Sequence, residues 1–140
     1  MAYEGDLAVE CPSHAHDFSN TWVIVVSGAA INPCGHMILN VGGIGGTYVH
    51  VAGVRGFPRF MSEMGYRRYL TENGKKELRR ARVPISKPDA AMVKLEWLLS
   101  QKWTWGVLPH NCAAFVEDVV RAGGSNAGLY LNCPTIETFD

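Results

Sequence analysis

The sequence predicts an α+β fold in which an antiparallel sheet packs against a late helix, and two patterns support this. Short runs of β-branched and apolar residues, bounded by glycine, recur through the first half of the chain and are typical of strands. Apolar residues at helical spacing follow Pro88 and again follow Cys112. Because 140 residues are enough to bury one core, we expect a single domain over 1–140.

The strands predicted first come from the most apolar part of the chain. Thr21–Val26 is a continuous apolar run, which is typical of a central strand. Gly35–Val41 and Thr47–Ala52 are shorter apolar runs bounded by glycine, so each is also predicted to be a strand.

A hairpin is predicted between the last two of these strands. The connecting stretch, Gly42-Gly43-Ile44-Gly45-Gly46, has the composition of a turn. If the turn centres on Gly43, His36 falls directly opposite His50, and the two imidazoles lie on one face of the sheet. A slip by one residue would separate them onto opposite faces.

The rest of the fold is predicted from turn residues and apolar spacing. We expect a loop-rich insertion over Gly53–Asn73 with a short helix near Tyr66–Leu70, and then a strand over Glu77–Ile85. Lys87-Pro88-Asp89 is typical of a helix start. The buried stripe of that helix is predicted to be Ala91, Val93, Leu95, Leu98 and Leu99.

The segment around Cys112 carries the most chemical information. Asn111 is predicted to cap the start of a helix whose apolar stripe is Cys112, Phe115, Val116, Val119 and Val120, and Gly123-Gly124 is predicted to end it. A thiol at the first turn faces unpaired backbone N–H groups and the positive end of the helix dipole, both of which favour the thiolate. Cys112 is therefore a candidate nucleophile, although a buried core cysteine is the simpler interpretation of that residue alone.

The two histidines give Cys112 the partners that a nucleophile needs. A base must take the thiol proton, and a third group must hold that base in the right tautomer. We assign His36 as the base, because it opens its strand beside a glycine, and His50 as the group that orients it.

These motifs carry a resemblance to a known family. Gly35-His36 before an apolar strand, His50 ending a second strand and Asn111-Cys112-x-x-Phe115 opening a late helix resemble the circularly permuted NlpC/P60 group of the papain-like superfamily. The order His, His, Cys is similar to that of the lecithin:retinol acyltransferase and H-Ras-like phospholipase/acyltransferase branch. The chain departs from that branch at Ala113-Ala114, where its members have Glu-His.

The resemblance implies a permuted papain-like fold and acyl transfer through a thioester. The backbone N–H of Cys112 is the expected oxyanion donor, supported by the side chain of Asn111 or His110. We expect phospholipase A-type hydrolysis of glycerophospholipids, with Trp103, Trp105 and Tyr48 as substrate-binding residues. The two tryptophans could form an apolar wall for an acyl chain, although packing is their commonest role.

Other functions remain open from the sequence. Ordinary NlpC/P60 enzymes cleave amide bonds, so a peptidoglycan stem-peptide amidase is the alternative within the family. A non-catalytic binding module with an inert cysteine is the alternative of another class. Small bacterial members without a signal resemble antibacterial toxins, which implies delivery by a specialised secretion system to the periplasm or membrane of a target cell and a cognate immunity protein.

A zinc site is the alternative to the catalytic assignment of these residues. Cys34, His36, His50 and Cys112 are potential zinc ligands, but the close spacings typical of zinc sites are missing. We therefore expect neither metal nor cofactor. A disulfide between Cys11 and Cys133 stays open, because a core of this size does not need one.

Charge and hydropathy exclude some partners. Thirteen basic and thirteen acidic residues give no net charge, which argues against nucleic-acid binding through a basic field. The basic cluster Lys75–Arg82 is predicted to be a solvated edge strand, with contact to a phosphate or lipid headgroup as the alternative. No run is apolar enough to span a membrane, and Met1–Ser19 lacks the pattern of a Sec signal, so we expect synthesis in the cytoplasm and a monomer.

Overall fold

A six-stranded antiparallel sheet organises the protein, which places it in the α+β class as predicted. The computed structural model describes residues 3, 5–7, 17–27, 36–50, 55–56, 59–99, 103–104, 116 and 119–125. The strands of this sheet are β1 (Asp6–Leu7), β2 (Thr21–Val26), β3 (His36–Val41), β4 (Thr47–His50), β6 (Arg59–Met61) and β7 (Glu77–Val83). Their order across the sheet is β1-β6-β4-β3-β2-β7. A separate pair joins β5 (Arg55–Gly56) to β8 (Trp103–Thr104).

The strand β2 lies inside the sheet, as its continuous apolar sequence predicts. It is paired with β3 on one side and with β7 on the other. Val23, Ile24, Val25 and Val26 have no exposed surface. Both faces of β2 are therefore covered, which explains why its residues do not alternate between apolar and polar.

The β3–β4 hairpin forms as predicted, but its centre is wrong by one residue. Leu39 pairs with Val49 and Val41 pairs with Thr47, which centres the turn on Ile44 and not on Gly43. Gly42, Gly43 and Gly45 have φ angles of 102°, 69° and 86°, a region that glycine enters without steric cost. Since every residue of the loop except Ile44 is a glycine, the sequence alone offers no side chain that fixes the centre.

The segment after the hairpin is more regular than the predicted loop-rich insertion. Arg59–Met61 forms β6, which joins the sheet beside β4. The predicted short helix near Tyr66–Leu70 is α1, which spans Glu63–Glu72 and begins at the N-cap Ser62. The Ser62 hydroxyl accepts a hydrogen bond from the backbone N–H of Gly65 (3.1 Å), which satisfies one unpaired donor of the first turn.

The predicted fourth strand and the helix after it are both present. The strand β7 ends at Val83 and lies at the edge of the sheet. The helix α2 spans Pro88–Leu99. Ala91 and Leu95 are buried as predicted, but Val93 is 66% exposed, so its assignment to the buried stripe was wrong. Positions 91 and 95 are four apart and share a helix face, whereas position 93 points away from it.

The helix predicted after Cys112 is present in its later part. Residues 116 and 119–122 are helical, and Val116, Val119 and Val120 are fully buried. We refer to this element as the Val116 helix. Ser125 N–H donates to the carbonyl of Val120, and Gly124 has a φ of 91°, so the helix ends at the predicted glycines in a left-handed cap.

The sheet separates two apolar clusters. On one face, Met37, Leu39 and Val49 pack with α2 and the Val116 helix. On the other face, Ile38 and Tyr48 pack with Tyr66 and Tyr69 of α1. The described part of the chain contains no helix long and apolar enough to cross a membrane.

Candidate active site

A hydrogen-bonded histidine pair lies at one end of the sheet. His36 begins β3 and His50 ends β4, so the antiparallel pairing brings both to the same end. Nε2 of His36 lies 2.7 Å from Nδ1 of His50, and the two rings meet edge to face with centroids 5.0 Å apart. One nitrogen of the two must carry the shared proton, so the bond fixes the relative tautomers of the rings.

The register explains how the two imidazoles meet. Continuing the observed pairs places His50 opposite Ile38, two residues from His36. A shift of two residues keeps side chains on the same face, and diagonal neighbours remain within reach of long side chains. The predicted direct opposition of His36 and His50 is therefore wrong, whereas their predicted shared face is confirmed.

The surroundings of the pair favour neutral rings. His50 has no exposed surface, and the ring of Tyr69 in α1 meets it edge to face at 5.1 Å. Burial holds the pKa of His36 well below its ordinary value, and the charges of His50 and Lys75 lower it further. Neutral imidazole is the form that can accept a proton, but the lowered pKa also makes His36 a weaker base than an ordinary histidine.

Lys75 lies at the same end of the sheet as the histidine pair. Its ammonium group donates to the carbonyl oxygen of Ser27 at 3.0 Å. Ser27 directly follows Val26, which is the cross-strand partner of His36. The backbone of Ser27 is also paired with Lys76, through a 2.8 Å hydrogen bond from Ser27 N–H to the Lys76 carbonyl.

The histidine pair and the Val116 helix lie on opposite faces of the sheet. His50 contacts Tyr69, and Tyr69 belongs to the α1 cluster. Val116, Val119 and Val120 belong to the cluster on the other face, with Met37 and Leu39. Cys112 lies outside the described residues.

The other predicted site residues are described only in part. His110, Asn111 and Trp105 lie outside the described residues, as do Cys11, Cys34 and Cys133. Trp103 is placed by its backbone in β8, where it pairs with Gly56. Within the described residues, no three His, Cys, Asp or Glu side chains are grouped so as to hold a metal ion.

Tyr48 does not have the position of a substrate-binding residue. It is fully buried, and its ring stacks on that of Tyr66 with centroids 4.2 Å apart. Its hydroxyl donates to Glu63 at 2.6 Å and accepts from Arg80 at 3.2 Å. A side chain without exposed surface cannot contact a substrate, so the role predicted for Tyr48 is corrected to a structural one.

Tyr48 belongs to a polar network that ties α1 to the sheet. Arg80 of β7 also donates to Glu77 (2.8 Å), and the Tyr66 hydroxyl donates to the same carboxylate (2.7 Å). The carboxylate of Glu63 accepts from the backbone N–H of Gly45 in the hairpin turn (3.0 Å). Burial and the hydrogen bond to Glu63 raise the pKa of Tyr48 to about 12, so its hydroxyl stays protonated at neutral pH.

Two neighbours of the histidine pair were missed from the sequence. Tyr69 was covered by the predicted short helix but given no role, and nothing in its spacing connects it to His50. Lys75 was included in the basic cluster, which offered a phosphate contact as an alternative, but no pattern related it to His36. Both relationships depend on how α1 returns to β7, which is a tertiary feature.

Comparison with known proteins identifies no relative of this chain. No protein-family model, curated protein or solved structure matches the chain.

Proposed function

We propose that the protein is a thiol hydrolase or acyltransferase in which Cys112 is the nucleophile, His36 the base and His50 the residue that positions the base. The observation that supports this most is the 2.7 Å contact between Nε2 of His36 and Nδ1 of His50. That contact occupies one ring nitrogen of His36, so Nδ1 is the nitrogen that would take the thiol proton. We also propose that the α+β fold is that of a permuted papain-like NlpC/P60 domain.

The reaction would proceed through a thioester. His36 accepts the proton of Cys112, and the sulfur attacks the acyl carbonyl, forming an S–C bond. His36 then returns the proton to the leaving oxygen as the ester C–O bond breaks. A water molecule, deprotonated by His36, hydrolyses the thioester and restores the thiol; an alcohol or amine in its place gives transfer. Backbone N–H at Cys112, with Asn111 or His110, would stabilise the oxyanion.

Glycerophospholipid esters are the substrate class that we propose first. The support is the resemblance of the His, His, Cys order to the lipid-acting branch, together with Trp103 and Trp105 close to Cys112 in sequence. In this proposal the protein is an antibacterial toxin that acts in the periplasm or membrane of a target cell after specialised secretion. A cognate immunity protein would then protect the producing cell by blocking the site.

A non-catalytic binding module is the second candidate, and one observation favours it. The described part of the Val116 helix packs on the face of the sheet opposite to the histidine pair. A core cysteine at the start of such a helix, with the histidines buried against α1 for stability, would need no chemistry. The two candidates differ in whether Cys112 reacts.

The first experiment compares wild type with Cys112→Ala and His36→Ala on phospholipid liposomes and on purified sacculi, with products identified by mass spectrometry. Cys133→Ala and His16→Ala are the matched controls, since they remove the same groups elsewhere in the chain. Loss of a general base lowers rates by about a hundredfold to ten-thousandfold. Fatty acid release that both test variants lose and both controls keep would support the lipid hydrolase.

Two other results of this experiment would support the alternative functions. Peptide cleavage from sacculi with the same dependence would move the substrate to the amide bond of stem peptides and keep the triad. No product from either substrate, together with slow alkylation of Cys112 at neutral pH, would reject catalysis, because inert buried thiols react slowly. The binding module would then be the better explanation.

A further inference from the structure

The helix α2 has a second apolar face, and that face is exposed. Ala91 and Leu95 are buried in the core, whereas Val93 and Trp97 are 66% and 56% exposed. Ala90, which lies one turn before Val93, is exposed as well. A helix that packs on a core with one face ordinarily carries polar residues on the other. Several apolar side chains exposed together indicate a contact with a partner.

The exposed apolar residues follow the spacing of a coiled-coil seam. Ala90, Val93 and Trp97 are three and then four residues apart, as are successive a, d and a positions of a heptad. Because this spacing averages about 3.5 residues and a helical turn takes about 3.6, the three side chains form a nearly straight row along α2. We refer to them as the α2 row. The row borders a surface groove that reaches Ala122 of the Val116 helix, and a second helix laid along the row would cover it.

The charges beside the α2 row fit a second copy of the same helix in parallel orientation. Asp89 and Glu96 each lie one position before an a residue, so both are at g positions on one flank of the row. Lys94 follows Val93 and is at the e position on the other flank. In a parallel pair, a g residue faces the e residue five positions later in the other helix, which brings Asp89 to Lys94 of the second copy. An antiparallel pair would place acids opposite acids and Lys94 opposite itself.

The charged side chains lie where such a contact needs them. Asp89 and Glu96 are exposed, and Lys94 is partly buried. The ammonium group of Lys94 lies 5.3 Å from the centroid of the Trp97 ring, and this cation–π contact holds it at the edge of the α2 row. Ion pairs across an interface fix orientation and register more than they add affinity. The apolar row therefore supplies the attraction, and the charges select the parallel arrangement.

We propose that α2 is the interface of a parallel dimer of this chain, with Val93 facing Val93 and Trp97 facing Trp97 across a two-fold axis. Each copy contributes the same surface, and two Asp89–Lys94 ion pairs flank the row. The helix has 12 residues and is about 18 Å long, so the interface is small and we expect a dimer that dissociates on dilution. The dimer would replace the monomer expected from the sequence, and it does not depend on the proposed reaction.

Sedimentation equilibrium over a concentration series tests the dimer. Wild type should change from monomer to dimer between micromolar and millimolar concentrations. Trp97→Ala should raise the Kd by at least about thirtyfold, as expected for a tryptophan buried in an interface. Met64→Ala is the matched control, because Met64 is 82% exposed on α1, and it should leave the Kd unchanged. A wild type that stays monomeric, or an equal effect of Met64→Ala, would overturn the proposal.

Charge reversal tests the parallel register without changing the α2 row. Asp89→Lys and Lys94→Glu should each raise the Kd by about threefold to tenfold, because each places like charges opposite one another in two symmetric pairs. The double variant restores opposite charges and should recover most of the wild-type affinity. A double variant that is weaker than both single variants would overturn the assignment of Asp89 to Lys94.

A disulfide test identifies the residues that meet across the axis. In a protein whose native cysteines are replaced by serine, Val93→Cys should give a covalent dimer under mild oxidation, since a disulfide needs Cα atoms no more than about 7 Å apart. Glu96→Cys, on the flank of the row, should not. Failure of Val93→Cys to link would overturn the seam. Binding of a purely monomeric wild type to phosphatidylglycerol vesicles, lost in Trp97→Ala, would overturn the dimer and assign this face to a lipid surface.

Discussion

The hydrogen bond between His36 and His50 joins residues that are diagonal, not directly opposite, across the β3–β4 pair. The bond therefore joins the first residue of β3 to the last residue of β4, at the end of the sheet away from the hairpin turn. Burial of His50 against Tyr69 fixes one partner of the bond. His36 is partly buried and His50 has no exposed surface, so His36 is the less buried member of the pair.

Because His36 is neutral in the folded protein, we expect the free energy of unfolding to depend on pH. Its pKa in the folded protein is well below the unfolded value of about 6.5, because burial disfavours the charged ring. As pH falls below the unfolded value, the unfolded chain binds a proton that the folded chain does not. The free energy of unfolding should therefore decrease, by no more than about 1.4 kcal/mol per pH unit for this group.

Urea denaturation of wild type and His36→Gln between neutral pH and pH 5 measures that effect. His14, His16 and His110 are present in both proteins, whereas the variant removes the partner of His50, so the difference between the two proteins reports the hydrogen-bonded histidine pair. The wild type should lose more stability than the variant as pH falls. Parallel pH dependences would mean that His36 titrates normally and is not held neutral by its surroundings.

Tyr48→Phe tests the corrected role of Tyr48. The substitution keeps the ring that stacks on Tyr66 and removes the hydroxyl that joins Glu63 to Arg80. Glu63 keeps Gly45 as a partner and Arg80 keeps Glu77, so we expect a loss of about 0.5–1.5 kcal/mol in the free energy of unfolding. KM for phospholipid should not change. A raised KM at unchanged stability would restore the substrate-binding role.

A matched pair on α2 tests which face of that helix is buried. Leu95 is 1% exposed and packs in the same apolar cluster as Val116, whereas Val93 is 66% exposed. Leu95→Ala should lower the free energy of unfolding by about 2–5 kcal/mol, because it leaves a cavity in the core. Val93→Ala should change it by less than about 0.5 kcal/mol. Similar losses in both variants would mean that α2 also buries the face that carries Val93.

The elements that the sequence predicts well are those with a strong local pattern. The apolar run Thr21–Val26 and the glycine-bounded strand of His36 form as expected, and the glycines after Val120 end their helix. The shared face of His36 and His50 was also predictable, because an error of two residues in register does not change the face of a strand.

The features that the sequence does not predict correctly are those that depend on tertiary contacts. Tyr48 lies in a short strand, and it is covered by the ring of Tyr66 on α1, a contact that sequence spacing does not show. Arg59–Met61 is too short to be recognised as a strand without its partner β4. Sequence spacing also could not show which face of the sheet the Val116 helix would cover, because both faces of β3 carry apolar residues.

A disulfide test decides whether Cys112 reaches the histidine pair. His36→Cys is made in a protein whose other cysteines, Cys11, Cys34 and Cys133, are replaced by serine. If the thiol of Cys112 meets position 36 around the end of the sheet, mild oxidation should join the two, since a disulfide requires Cα atoms no more than about 7 Å apart.

Ile44→Cys in the same background is the control for the disulfide test. Ile44 is 81% exposed and lies in the hairpin turn, at the far end of β3 from His36, so it should not be joined to Cys112. Non-reducing gels and peptide mass spectrometry identify the bond. A link from position 36 to Cys112, without one from position 44, would support the catalytic triad. If Cys112 reacts with a small soluble thiol reagent but forms no bond with position 36, the nucleophile and the proposed base are apart, and the binding module becomes the better account of the fold.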